Sequence, residues 1–182
     1  YGKKYLTPQV KGSTTHQLAD LVTKEESAKV IEAAIRKKLK KPAGELTKAD
    51  LEKVTVLNLD LNQLTEIPKG LEKLTKLKEL YLENNQLSDV KGLEKLTQLT
   101  WLSLERNQLT DVKGLEKLTQ LTYLGLGNNK LTDVKGLENL TQLKGLHLGD
   151  NKLTDVKGLE KLTQLTSLNL MDNQLTDVKG LE

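Results

Sequence analysis

The chain reads as an α/β solenoid, and three observations predict it. One phrase recurs from residue 54 to the end, its copies starting at Val54, Leu77, Leu99, Leu121, Leu143 and Leu165, with spacings of 23, 22, 22, 22 and 22. A fixed period of this size marks turns stacked on one another. Within each copy the apolar residues hold fixed places: in the fourth they are Leu121, Leu124, Leu126 and Leu131, then Val134, Leu137 and Leu140. The third observation is composition. The 182 residues include no Phe, one Trp and four Tyr, with 36% hydrophobic content. A globular core of that length would normally use more aromatics, whereas a solenoid fills a narrow interior with Leu and Val.

The totals exclude several classes. The 28 basic and 25 acidic residues nearly balance, leaving +3, and no one-signed basic stripe of the kind nucleic acid demands is visible. No run approaches the ~18 to 20 apolar residues of a membrane span. The absence of Cys removes disulfides and thiolate metal sites. Tyr1 stands without Met or an apolar leader, which predicts a processed or an artificially trimmed form from which any export signal has gone. No cofactor is expected.

Residues 1–22 read as a polar arm, interrupted by Pro8 and Gly12, with a helical turn near Gln17–Val22. They form either a loosely held tail or an arm packed on the cap or on a neighbouring chain. Residues 23–53 read as a helical cap. Thr23-Lys24-Glu25-Glu26 fits a capping box, and Val30, Ile31, Ala34, Ile35 and Leu39 then share one helical face. Arg36, Lys37, Lys38, Lys40 and Lys41 crowd the last turn, where positive charge suits free carbonyls, before Pro42 and Gly44 stop the helix. A second short helix follows Thr47 as N-cap, with Asp50 three residues on and Leu46 and Leu51 placed as a hydrophobic staple. A stack of turns needs such a cap, because its first turn would otherwise expose a leucine-lined end.

Residues 54–182 hold six copies of L-x-x-L-x-L-x-x-N-x-L, the sixth incomplete. The phrase resembles the leucine-rich repeat family, and its tail L-T-D-V-K-G-L-E-K-L-T-Q most resembles the 22-residue repeats of bacterial internalin-like proteins. The fragment IEAAIRKKLKKPAGELTKADLEKV is similar to their helical amino-terminal cap. The resemblance implies a right-handed leucine-rich repeat horseshoe, with one short parallel strand per repeat on the concave face. It also implies a binding module that presents this sheet to another protein, secreted or on a bacterial cell surface, although similar repeats occur in the cytoplasm. The ninth position is Asn in every copy (Asn62, Asn85, Asn107, Asn129, Asn151 and Asn173). In the family this amide turns inward and bonds the backbone of adjacent turns, which answers the need to pair groups buried at a sharp bend.

Asp89, Asp111, Asp133, Asp155 and Asp177 form a second row, each before V-K-G-L-E. They are expected to cap a short helical turn rather than hold a metal. The following glycines, Gly92 to Gly180, are expected to serve backbone geometry on the convex side. The first copy carries one extra residue around Pro68, which should alter its return segment. The sixth stops at Glu182 before its final L-x-x-L-T. An uncapped end of this kind predicts a fragment of a longer chain, or end-to-end self-association through the open strand edge.

The copies differ chiefly at positions two, three, five, seven and eight, which should line the concave face because strand side chains alternate. Tyr81, Trp101 and Tyr123 all fall there; Trp101 and Tyr123 should be direct neighbours on strands ~4.8 Å apart, with Tyr81 diagonal to Trp101. Gly125, Gly127, Gly145 and Gly149 should leave a shallow hollow rimmed by His147. Asp60, Glu83 and Glu105 form an acidic row beside Arg106 and Lys78, suited to a basic patch. Glu83 and Glu105 could approach the ~5 Å used by retaining glycosidases, but no pocket raises one pKa and no third polar group converges. His16 and His147 lie far apart, and no metal is expected.

The function these residues support is non-enzymatic recognition of a protein or peptide. The candidate ligand-binding residues are Tyr81, Trp101, Tyr123, His147, Glu83, Glu105, Arg106 and Met171, of types enriched at interface cores. A structural spacer or scaffold segment of a larger protein, and a carbohydrate-binding module, stand as alternatives.

Overall fold

The computed structural model describes residues 14–179 and Leu181, with the side chains described from residue 26 onward. The order is helix α1 (Thr14–Leu39), helix α2 (Lys48–Leu51) and six three-residue strands. These are β1 (Val56–Asn58), β2 (Glu79–Tyr81), β3 (Trp101–Ser103), β4 (Tyr123–Gly125), β5 (Gly145–His147) and β6 (Ser167–Asn169). They form one sheet in sequence order, every pair parallel. The register follows the repeat: Leu57, Leu80, Leu102, Leu124, Leu146 and Leu168 face one another in turn. The solenoid expected from the period is what the chain forms.

The inward positions close the core. Leu121, Leu124, Leu126, Leu131, Val134, Leu137 and Leu140 are all buried, and their counterparts from Val54 to Leu162 join them in one continuous cluster. Polar atoms at the bend are paired through the asparagine ladder. Asn107 Nδ2 donates to the carbonyls of Leu82 (2.9 Å) and Leu104 (3.0 Å), and its Oδ1 accepts the Leu87 amide (3.0 Å). Asn85, Asn129 and Asn151 repeat the pattern while buried. Each amide thus ties its own copy to the preceding one, as the need to satisfy a buried bend requires. At the first turn Asn62 is exposed and its Nδ2 reaches only its own copy's Asp60 carbonyl (2.8 Å). In the sixth copy Leu165, Leu168, Leu170 and Leu175 are half-buried, and Val178 and Leu181 are exposed.

The return side is built from successive turns rather than helices. Leu93, Leu96 and Leu99 donate in series to the carbonyls of Val90, Leu93 and Leu96, each bond spanning three residues. The expected helical turn after each Asp is therefore replaced by an Asx turn: Asp89 Oδ1 accepts the Lys91 amide (2.9 Å), and Asp111, Asp133, Asp155 and Asp177 do likewise. The carboxylates still serve backbone amides. Glu94, Glu138 and Glu160 are held below the usual carboxylate range, first by their own backbone amides and then by those of Gly92, Gly136 and Gly158. Those glycines have φ from 100° to 108°, which L side chains avoid. Only the first copy, with its extra residue, forms a 3-10 helix among the described residues, at Leu71–Lys73 beyond the buried Pro68.

The cap differs from expectation at its start. Helix α1 begins at Thr14, so Thr23 lies inside it and does not cap it; residues 13–41 contain neither Gly nor Pro, and a helix once nucleated propagates until something stops it. The rest of the arm, residues 1–13, lies outside the described residues. At the other end Lys40 takes a left-handed φ of 52°. The Lys41 amide reaches back to the Arg36 carbonyl (3.0 Å) and the Lys40 amide to Lys37 (3.3 Å), a Schellman closure before Pro42. Ile31 and Ile35 are buried on the solenoid, with Val30, Ala34, Leu39, Leu46 and Leu51 packed beside them. The Thr47–Asp50 capping box forms as expected, and Lys41 Nζ sits 2.7 Å from Asp50 Oδ2. That bond, with the Thr47 amide and hydroxyl, holds Asp50 far below the usual carboxylate range.

Candidate functional site

In every strand the central leucine points inward and its two neighbours face the open side of the sheet. The ladder continues past the strands: the amides of Leu61, Asn84, Arg106, Asn128 and Asp150, all at position eight, donate to carbonyls of the next copy at 2.9–3.1 Å. Yet each of these residues, with Asp172, turns left-handed, with φ between 52° and 59°. Asn and Asp tolerate that region; Leu61 and Arg106 occupy it under strain. Position eight is therefore constrained by the backbone, a limit that variation among copies does not reveal.

The aromatic residues gather as the register dictates. Trp101 and Tyr123 are partners across β3 and β4, and their rings stack at 3.8 Å between centroids and 14° between planes. Tyr81 partners Ser103, diagonal to Trp101, and its hydroxyl donates to Glu79 Oε2 (3.0 Å). Trp101 keeps 37% of its surface exposed. Burial first, then the neighbouring carboxylates, push both phenols above their ordinary value: Glu79 and Asp60 act on Tyr81, Glu105 and Glu83 on Tyr123.

The glycine hollow is not open. Glu105 leaves the end of β3, crosses Gly125 and meets β5: its Oε1 lies 2.7 Å from His147 Nδ1 and accepts the Tyr123 hydroxyl at 3.3 Å. A Cβ at Gly125 would come within 2.8 Å of that oxygen, and one at Gly145 within 3.0 Å of the Tyr123 ring. The His147 ring lies over Gly127 and Gly149, and Asn169 also covers Gly149. Asn169 Oδ1 accepts the Met171 amide (2.9 Å), which turns its Nδ2 toward His147 Nε2 (2.6 Å). Nε2 is thus the acceptor, and Nδ1–H donates to Glu105. His147 is accordingly the middle of a half-buried Tyr123–Glu105–His147–Asn169 chain that runs from the end of β3 across β4 and β5 to β6. The small residues exist to let these side chains lie flat. Asn169 belongs to the site although sequence reasoning passed over it; its place at position five, next to His147, was the available signal.

The first three copies look different. Glu83 accepts from Asn84 Nδ2 (3.1 Å), and Asp60 takes the Glu83 amide (2.7 Å) and Asn58 Nδ2 (2.9 Å). Glu79, also passed over, stands opposite Trp101. Arg106 and Met171 are exposed, and Arg106 enters no ion pair among the described residues. A cleft of about 830 Å³ separates α1 from β1, with Val30, Ala34 and Lys37 on one wall and Val56, Asn58 and Asp60 on the other. Among the described residues no three His, Asp or Glu side chains gather as a metal site, and no helix is long and apolar enough to cross a membrane. His16 lies outside the described side chains.

Comparison with known proteins agrees with this architecture. A family model described as leucine-rich repeats in two copies matches residues 52–95, 97–139 and 141–182. No curated protein matches the sequence significantly. Among solved structures, an internalin of Listeria monocytogenes superposes with a TM-score of 0.79 at 32% identity, over 84% of this chain and 45% of that one. A leucine-rich repeat protein of Leptospira interrogans gives 0.67 at 35% identity, over 71% of this chain and 34% of its own. Internalin C2 of Listeria monocytogenes gives 0.51 at 27%, over 84% and 87%. The chain spans less than half the length of the first two of these. Six parallel strands in repeat register, the asparagine ladder and the matched segments place this chain in the leucine-rich repeat family, with repeats of the bacterial internalin-like kind.

Proposed function

We propose that this chain is a non-enzymatic module that binds a protein or peptide on the open face of its sheet. The fold commonly serves protein–protein binding. The observation that carries the finer reading is the Trp101–Tyr123 stack, an indole and a phenol placed on the solvent side of a core that, among the described residues, uses no aromatic side chain. Tyr81, Glu83, Glu105 and His147 come from the neighbouring positions of the same sheet, and the proposed polar rim extends to the exposed Arg106 and Met171. Catalysis has little support there, because the face is open and Glu105 is already engaged by His147 and Tyr123. A sugar platform has less support than the glycines promise, since their hollow is filled.

Selection from a random peptide display library tests the reading. Selected peptides should bind the intact chain and lose at least about tenfold in affinity against a Trp101→Ala/Tyr123→Ala variant with unchanged circular dichroism. If peptides are selected but bind that variant equally well, the aromatic face is not the site. If none is selected, the chain serves as a spacer.

A further inference from the structure

The open face divides by charge. At positions three, five and seven the first three copies carry Asp60, Glu79, Glu83 and Glu105 without any Lys or Arg, and the last three copies carry no Asp, Glu, Lys or Arg. This opposes the sign of the whole chain, which holds 28 basic against 25 acidic residues. Glu105 has His147 as partner, but Asp60, Glu79 and Glu83 enter no ion pair among the described residues. They are half-buried and fixed by neutral donors alone: Asn58 and the Glu83 amide for Asp60, Tyr81 for Glu79, Asn84 for Glu83. The flanking cations Lys78 and Arg106 are exposed and do not close on them. Three like charges held by neutral donors on one half-buried stretch of the sheet favour a cation laid among them.

The aromatic geometry adds a second requirement. Tyr123 covers one face of the Trp101 indole at 3.8 Å, so the other face turns toward β2, where Glu79 is its register partner. An indole face beside carboxylates is attractive to a guanidinium or ammonium, the former more so because it stacks and forks two hydrogen bonds. We infer that this half of the face takes a Lys- or Arg-bearing protein segment, one basic side chain lying on the open face of Trp101 within reach of Glu79 and Glu83. The inference rests on the binding reading above and names the chemistry of its partner.

Trp101 is the only Trp in the chain, so its emission reports the site directly. Titration with a tetra-arginine peptide should change that emission saturably, and a tetra-glutamate peptide should not. Glu79→Gln/Glu83→Gln should weaken the arginine peptide by about three- to thirtyfold, as should Trp101→Leu followed by anisotropy of a labelled peptide. Circular dichroism of each variant confirms that it is folded. Equal response to both peptides overturns the inference. So does undiminished arginine-peptide binding by Trp101→Leu, which would be general charge attraction. Should the arginine peptide fail while display-selected peptides still bind in a Trp101-dependent way, the basic partner is wrong and the binding face stands. Should both fail, both readings fall.

Discussion

On β1–β3 the face that looks away from the core carries Asp60, Glu79, Tyr81, Glu83 and Trp101, whereas on β4–β6 the same register holds Gly125, Gly127, Gly145 and Gly149. The backbone beneath is common to both, with the same parallel ladder and the same asparagine bonds. What differs is where side-chain polarity goes. In the second half it is spent internally, Glu105 bonding His147 and His147 bonding Asn169 across glycines that leave room. In the first half Asp60, Glu79 and Glu83 are aimed by neutral neighbours and meet no cation among the described residues. A repeat scaffold can thus make one stretch of its sheet self-sufficient and leave the adjoining stretch dependent on something else.

The largest test concerns the shared backbone. Asn107→Ala and Asn151→Ala each orphan two carbonyls and one amide, and each should cost about 3 kcal/mol or more in denaturant unfolding. Losses differing by more than about 1 kcal/mol would break the claim that the halves rest on one scaffold.

A smaller effect sharpens the contrast itself. Gly125→Ala should displace the Glu105 carboxylate and cost about 1 kcal/mol through the His147 and Tyr123 bonds it loses. In a Glu105→Ala background the same substitution should cost almost nothing, and additive losses would mean that the glycine answers to the backbone instead.

The finest difference is spectroscopic. Tyr81 and Tyr123 should ionise above the ordinary phenol value of 10.0, mainly from burial. Because the folded state holds these protons more tightly, their contribution to stability is complete below about pH 10 and fades as pH rises through the raised values. Glu79→Gln should bring Tyr81 down and leave Tyr123 in place, Glu105→Gln the reverse, followed residue by residue by NMR. A common response of both phenols would erase the boundary between the halves.

Much of this was legible in the residues, for a physical reason. A solenoid's contacts repeat with its sequence, so the 22-residue period carried register, core and the Trp101–Tyr123 adjacency at once. Three things were not legible. The start of α1 was missed because a permissive stretch before Thr23 extends a helix without any signal of its own. The return turns were misjudged because Asp before Lys-Gly suits an Asx turn as well as a helix start. The glycine hollow was misjudged because small residues read as empty space in one dimension, while Glu105 and His147, long side chains from neighbouring copies, fill it in three.

The left-handed eighth residue has a consequence for anyone who would re-engineer this surface. Leu61 and Arg106 hold φ of 59° and 54°, a conformation that costs a side chain of their kind about 1–3 kcal/mol. A designer randomising the sheet should confine the alphabet there to asparagine, aspartate and glycine, and spend diversity on the third, fifth and seventh places. Converting Leu61 to Asn would then recover stability in the copy nearest the cap, a reserve against which bolder changes elsewhere could be tolerated.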